Sequence, residues 1–378
     1  MSKKTGMCLA SGIYPPESGG PAQFTATFSK WVRDNTDIPV SVVTLTDGAS
    51  SSENSNGVNI YKTTRNQFFL LRFLKTAFKL IKNSNSKRPI LANGLFLEVY
   101  FASLISNRRY VAKIPGDIVW ERAVNNLITE SGVFEFQSET LNLKYRIFRK
   151  LFTMSLKKSD FIIVASSPME QLCEIWGIEK NKIIKIFNSV SHEAFKPPLV
   201  SKFDWDVLTV CRLIKLKRVD QLISVCSELN LKLCVVGSGP ELESLKMLTN
   251  TLGSDVTFVG NIDSANLPNY YGKSSIFVLN SEFEAGTPYA LLEARACGEV
   301  AIATEDTGSQ DVIEHMRDGL LIGTKSGMTL KEALVYLVKN KNFMISARSE
   351  SLAKNYKLFD MKNNYLRILD ILKKFSHE

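Results

Sequence analysis

The sequence predicts an α/β protein built as two doubly wound units, each a mainly parallel sheet with helices on both faces. Three observations predict it. The chain has 378 residues, more than a single hydrophobic core usually serves. Its second half alternates short apolar runs with stretches of helical length, the pattern of parallel strands joined by crossover helices. Its first half opens with an apolar run, a Pro/Gly-rich turn and a helical stretch, as a phosphate- or dinucleotide-binding unit does.

Composition narrows the function classes. The apolar and charged fractions are those of a soluble globular protein. No apolar run reaches the length needed to span a bilayer, and Lys3-Lys4 leads into a strand-like segment with Gly and Pro, not a signal peptide. Cys8, Cys173, Cys211, Cys226, Cys234 and Cys297 are scattered, mostly within apolar runs, with no metal-ligand spacing. They read as reduced core residues of a cytoplasmic protein. His192, His315 and His377 cannot build a metal centre by themselves, and neither metal nor cofactor is expected. A net charge of +9 favours an acidic partner. A nucleotide or an anionic membrane fits; nucleic acid is not expected, because no recognised motif accompanies the charge.

Along the chain, residues 6–14 read as a strand, and a helix is predicted to about Asp34 after Pro15-Pro16-Glu17-Ser18-Gly19-Gly20-Pro21. Residues 49–57 read as a Ser/Asn-rich surface loop. Next, Arg72, Lys75, Lys79 and Lys82 recur at helical spacing among Phe69, Leu70, Phe73, Leu74, Ala77, Phe78 and Ile81. This basic amphipathic helix either lies on an anionic membrane or buries its apolar side in the domain. Strands at 89–93 and 110–114 flank a helix near 95–105, and the second runs into Pro115-Gly116-Asp117. A second basic helix spans 141–158, followed by strand 161–165, helix 168–176 and strand 183–187. Residues 196–204, with Pro197-Pro198, read as a linker. Beyond it come strands at 207–210, 232–236 and 256–259, with helices from about Arg218 and Glu241.

The stretch richest in chemistry is NSEFEAGTPYALLEARACG, residues 280–298. The apolar run 276–279 reads as a buried strand, residues 281–286 as a loop at the carboxyl edge of the sheet. Thr287 is placed to cap a helix whose first turn opens with Pro288 and which stops at Gly298. Unsatisfied amides and the helix dipole make such an N-terminus a seat for phosphate. Glu293 can offer two acceptor oxygens to vicinal hydroxyls such as those of a ribose.

This stretch resembles the paired-glutamate signature of the family 4 glycosyltransferases. Glu284 stands as the first glutamate and Glu293 as the second, with Ala285 as a one-residue insertion before Gly286-Thr287-Pro288. Other motifs carry the same resemblance. Cys211-Arg212-Leu213-Ile214-Lys215-Leu216-Lys217 is similar to the family's Gly-Arg-Leu-x-x-x-Lys, with Cys211 in place of glycine. Val235-Val236-Gly237-Ser238-Gly239-Pro240 is similar to its Val-Gly-x-Gly-Pro turn; Leu242, where a dinucleotide fingerprint has its third glycine, weakens a nicotinamide reading. Gly19-Gly20 resembles the opening paired glycines, and Asp117 takes by position the place of a histidine that touches the donor sugar in many relatives. Asn188-Ser189-Val190 resembles an Asn-Gly-Val element.

The resemblance implies the GT-B architecture, two Rossmann-like doubly wound domains facing a cleft. The expected division is an acceptor-binding domain at 1–195, the linker at 196–204, a nucleotide-sugar domain at 205–358, and a helix at 359–378 packing across the hinge. It also implies a retaining, metal-independent transferase that moves a sugar from a nucleoside-diphosphate sugar to a glycan or lipid-linked acceptor; the basic helix adds the expectation of a cytoplasmic protein, peripheral at the inner face of the cell membrane. Glu284 would hold the donor sugar, with Asp117 beside it as the second catalytic-pocket residue. Glu293 would take the ribose, and Arg212 and Lys217 the diphosphate, whose charge grows in the transition state. Backbone at Gly19, Gly20, Gly237, Gly239, Gly286, Thr287 and Pro288 would approach the substrates. Two alternatives share the architecture, a non-catalytic scaffold for polysaccharide assembly and a sugar-nucleotide epimerase.

Overall fold

The computed structural model describes residues 6–17, 19–85, 87–197 and 203–374. The chain divides into two compact units, Met1–Ile186 with Asn363–Glu378, and Phe187–Lys362. Of the expected linker, residues 198–202 lie outside the described ones.

Unit 1 runs β1 (Met7–Ser11), α1 (Gly20–Asn35), β2 (Val40–Thr46), β3 (Ser51–Ser55), β4 (Val58–Thr64), α2 (Phe69–Asn83), β5 (Ile90–Ala92), α3 (Phe96–Ser106) and β6 (Tyr110–Ile114). It continues through α4 (Ile118–Asn125), α5 (Val133–Phe136), α6 (Leu143–Lys158), β7 (Phe161–Val164), α7 (Ser167–Ile175) and β8 (Ile183–Lys185). Its eight strands lie in the order β3-β4-β2-β1-β5-β6-β7-β8, parallel except for β3. The order reverses between β1 and β5, so the loops after these two strands leave the sheet on opposite sides. β3 replaces the expected surface loop. Its five polar residues are exposed and pair with β4 along the backbone, with Glu53 meeting Lys62 at 2.8 Å and Asn54 Nδ2 donating to Asn59 at 2.8 Å across the two strands.

Unit 2 runs β9 (Trp205–Val210), α8 (Val219–Glu228), β10 (Leu233–Val236), α9 (Leu242–Leu252), β11 (Val256–Gly260), α10 (Pro268–Tyr271), β12 (Ser274–Leu279), α11 (Tyr289–Ala296), β13 (Val300–Thr304), β14 (Leu320–Ile322), α12 (Leu330–Lys339) and α13 (Lys341–Leu358). Its six strands are all parallel, in the order β11-β10-β9-β12-β13-β14, with the reversal between β9 and β12. Alternate side chains feed two cores. Val207, Val235, Ile276, Val278 and Ile302 face one side with α8 and α12. Leu208, Val236, Phe277, Leu279 and Ala303 face the other with α11. A strand covered on both faces has to read as an unbroken apolar run, which is why these strands are visible in the sequence.

The unit boundaries differ from the expected 195 and 358. Residues from Phe187 join unit 2 because Asn188 bonds to Thr287 and Val190 pairs with the backbone at Phe359 and Met361. The last helix, α14 (Met361–Lys373), begins after α13 ends, and its residues from Asn363 belong to unit 1. There Tyr365 packs on Phe24, Phe28 and Trp31 of α1 and shares a hydrogen bond with Thr27, 2.6 Å between oxygens.

Candidate active site

The loops of unit 2 that follow β9, β10, β12 and β13 emerge at the carboxyl edge of the sheet; Arg212, Lys217, Gly237, Gly239, Gly286, Thr287 and Pro288 lie on them. β9 delivers residues 211–218 and β12 delivers residues 280–288, one on each side of the strand-order reversal. Where neighbouring loops splay apart in this way, open parallel sheets bind their ligands. The Glu282 amide donates to the Leu216 carbonyl at 2.8 Å and Asn280 Nδ2 to the Arg218 carbonyl at 3.3 Å, tying the two loops together.

Their charges are paired across the same gap. Lys217 Nζ forms a part-buried ion pair with Glu284, and Arg218 lies 3.3 Å from Glu282. Arg218, in the left-handed region at the start of α8, was not singled out from sequence; a cation one residue past the matched lysine carries no signal of its own. Arg212 follows β9 as expected and is exposed, with no ion-pair partner among the described residues. It is thus open to an anion, while an anion reaching Lys217 competes with Glu284.

The start of α11 departs from expectation. The helix begins at Tyr289 with Pro288 as its N-cap residue, and no side chain caps it. Thr287 does not cap; its hydroxyl accepts the Asn188 amide at 2.9 Å and its carbonyl accepts Asn188 Nδ2 at 2.9 Å. Asn188 therefore fixes the loop from outside the helix. Gly298 closes α11 with φ +85°, as expected of a helix stop. Glu293 is buried inside α11, and Oε2 accepts the Tyr271 hydroxyl at 3.0 Å. One of the two oxygens expected to face a ribose thus already accepts from Tyr271. Burial, with Glu293 beside it, pushes the Tyr271 phenol well above its ordinary range, so it stays a donor.

The glycines serve close packing. A Cβ on Gly237 would overlap the Cys211 carbonyl oxygen, and one on Gly239 the Leu213 carbonyl oxygen. The approach they make in the structure is to the neighbouring loop of this chain; the expected approach to nucleotide would build on it. Gly308, after β13, is equally constrained: a Cβ there would overlap the Gly286 carbonyl, and its amide donates to the Glu284 carbonyl at 2.7 Å. Gly308 thus sits directly against the backbone of both Glu284 and Gly286.

In unit 1, Gly19 has φ +144° and precedes the first turn of α1, with Gly20 opening the helix. Both sit beside the reversal between β1 and β5, where Asn93 caps the sheet edge. Asn93 donates to the Pro21 carbonyl at 3.0 Å and to Thr25 at 3.1 Å, a residue the sequence marked only as the end of a strand. A Cβ on Gly94 would come within 2.7 Å of the Gly12 amide. Asp117 is 1% exposed and is the N-cap of α4. One oxygen accepts the Val119 and Trp120 amides at 2.9 and 3.1 Å, and the other accepts Gln137 Nε2 at 3.0 Å. Burial raises its pKa against the pull of these bonds. Both oxygens of the residue expected in the catalytic pocket thus accept hydrogen bonds within the unit.

Among the described residues no group of three or more His, Cys, Asp or Glu is placed to hold a metal ion, and no helix is long and apolar enough to cross a membrane.

Comparison with known proteins agrees with the fold. Residues 191–357 match the family model described as Glycosyl transferases group 1. An uncharacterized glycosyltransferase of Methanocaldococcus jannaschii is 22% identical over 317 residues, 76% of this chain and 77% of that protein. A GDP-mannose-dependent alpha-(1-6)-phosphatidylinositol monomannoside mannosyltransferase of Mycobacterium tuberculosis is 26% identical over 149 residues, 36% of this chain and 39% of that one. Among solved structures, Anabaena HepE in complex with UDP and glucose superposes with a TM-score of 0.77 at 17% identity, over 97% of this chain and 99% of that one.

Proposed function

We propose, for a chain that has the GT-B fold and carries a group 1 glycosyltransferase domain over residues 191–357, that it transfers a sugar from a nucleoside-diphosphate sugar to a glycan or lipid-linked acceptor. The observation that carries this reading is the convergence of Arg212, Lys217, Glu284 and the start of α11 at the strand-order reversal of unit 2. Cations fixed at a sheet edge stabilise a departing diphosphate more than they stabilise the bound donor, because its charge grows as the bond to the sugar breaks. In this reading Arg212 and Lys217 take the diphosphate without a metal ion. Release of Glu284 from Lys217 frees a carboxylate for the donor-sugar hydroxyls, and Glu293, held by Tyr271, takes the ribose. Retention follows if the acceptor attacks the face that the diphosphate leaves. The relatives support the donor class: HepE is described in complex with UDP and glucose, and the mycobacterial relative is GDP-mannose-dependent. Unit 1 would then take the acceptor, and the place of work would be the cytoplasmic face of the membrane.

The test is sugar release from UDP-, GDP- and ADP-sugars by the purified chain, followed by the same assay on Arg212→Ala and Lys217→Ala. Each substitution is expected to lower turnover at least as much as it raises KM, by about 2–4 kcal/mol of transition-state stabilisation. Wild-type turnover in folded Lys217→Ala would remove the diphosphate assignment. If every donor stays intact with the wild-type chain, the scaffold reading takes its place.

A further inference from the structure

Helix α6 carries two apolar faces. Tyr145, Phe152, Ser155 and Leu156 are buried, with Phe152 against Phe96 of α3 and against Trp176. On the other side Leu143, Ile147, Leu151 and Met154 are 69%, 51%, 39% and 39% exposed. Steps of four, four and three residues put them in one stripe along the helix. Leu127 and Ile128, 91% and 46% exposed at the end of α4, extend the apolar surface near the start of α6, where Asn126 donates to the Tyr145 hydroxyl.

A basic rail runs beside the stripe. The helix, LKYRIFRKLFTMSLKK, contains six cations and no acid. Among the described residues Lys144, Arg146, Lys150, Lys157 and Lys158 have no ion-pair partner. Arg146, Arg149, Lys150 and Lys157 line a groove of about 590 Å³ next to Met154, with Glu139 as its one acid. Arg149 is held in place by the Phe136 and Gln137 carbonyls at 2.9 and 3.2 Å. The groove is therefore positive, and it opens beside exposed hydrocarbon.

The arrangement differs from that of α2, the basic helix that the sequence leaves open to either a membrane or a domain core. There Lys79 donates to the Lys62 carbonyl at 2.6 Å, Lys75 donates to Gln67, and Arg72 stacks over Phe69. Two of the four cations are thus hydrogen-bonded inside the unit. Phe69, Leu70 and Phe78 of α2 remain exposed, as do Leu104 and Ile105 at the end of α3, the helix that packs against both α2 and α6.

We infer that α6 is the principal membrane-docking element of unit 1: its apolar stripe enters the acyl boundary of an anionic bilayer, and the groove takes the phosphate of a lipid headgroup. An exposed apolar stripe flanked by unpaired cations has its favourable state at an interface that supplies hydrocarbon and negative charge together. A soluble acidic partner would match the rail and leave the stripe wet. The inference deepens the proposed place of work and is independent of the transfer chemistry.

The full chain is sedimented with vesicles of phosphatidylcholine alone and of phosphatidylcholine with phosphatidylglycerol, at low and high salt. Three variants accompany it: Arg146→Glu/Lys150→Glu/Lys157→Glu, Leu143→Ser/Ile147→Ser/Leu151→Ser, and Lys75→Glu/Lys79→Glu/Lys82→Glu. Most of these side chains are exposed; thermal melting and binding of a nucleoside diphosphate by unit 2 report that the variants are folded. The wild-type chain is expected to bind only the anionic vesicles, and less at high salt. Both α6 variants are expected to lose tenfold or more, and the α2 variant less than either. Equal binding by wild type and α6 variants, or no binding by wild type, overturns the inference. Retained vesicle binding by the serine variant, or inhibition by inorganic phosphate of all binding, would reduce the site to an anion groove and also overturn docking. Loss of sugar transfer with vesicle binding intact would instead count against the proposed reaction alone.

Discussion

Lys113 shows what one buried charge costs this protein. It lies on β6 with its ammonium 4.3 Å from the centre of the Phe24 ring, and burial lowers its pKa to about 8. The unfolded chain binds that proton up to an ordinary value near 10.5. Between these values the unfolded state holds more protons than the native state, so this group makes stability rise with pH from about 8 to about 10.5. Below pH 8 both states are protonated and the full cost of burying the ammonium is present. Lys113→Met is expected to remove the rise in stability above pH 8. Urea unfolding at pH 7, 8 and 9.5 checks this; an unchanged slope in the variant would assign the pH dependence to another group.

At the scale of the element, α11 is held by a charge network within unit 2. Arg295 is fully buried, Nη1 donates to the Asp318 carbonyl at 2.8 Å, and Nη2 lies 3.0 Å from its carboxylate. Lys354 of α13 reaches the same carboxylate at 3.3 Å. Glu293 sits two residues before Arg295, so the network sets the position of a candidate donor-binding carboxylate. Asp318→Ala leaves a buried guanidinium unpaired and is expected to cost about 3–5 kcal/mol. Arg295→Met with Asp318→Ala should recover most of that loss in denaturant unfolding, because the uncompensated charge is gone. If the double variant is as unstable as the single one, packing rather than charge holds the helix.

For the molecule as a whole, the residues assigned to diphosphate and nucleoside all lie in unit 2, whereas Gly19, Gly20 and the exposed stripe of α6 lie in unit 1. A nucleoside diphosphate without its sugar should therefore engage unit 2. At a hundred times its dissociation constant such a ligand stabilises the state that binds it by about 2.7 kcal/mol. A thermal-shift series with UDP, GDP and ADP is expected to single out one base, and hydrogen exchange should slow mainly across residues 211–218 and 282–288. Protection confined to the loop between β1 and α1 would move the nucleotide to unit 1.

The sequence by itself determined the two doubly wound units and the position of the candidate donor loops, because both signals are local. A parallel strand buried on two faces must be continuously apolar, as Ile276, Phe277, Val278 and Leu279 are. The Arg212 and Lys217 pair and the run from Glu282 to Pro288 lie directly after such strands, so their place at the sheet edge was readable. Tertiary structure decided which partner each group meets. Thr287 reads as a cap and instead accepts from Asn188, far away in the chain; Asp117 accepts from Gln137, and Glu293 from Tyr271. β3 was hidden because an exposed polar edge strand is made by backbone pairing, which leaves no side-chain period. The same holds for α6: its sequence shows apolar residues around two sides of a helix, and only the position of α3 and Trp176 decides that Phe152 faces inward and Leu143, Ile147 and Leu151 face out. Periodicity fixes which residues share a face; burial of that face depends on neighbours brought together from distant parts of the chain.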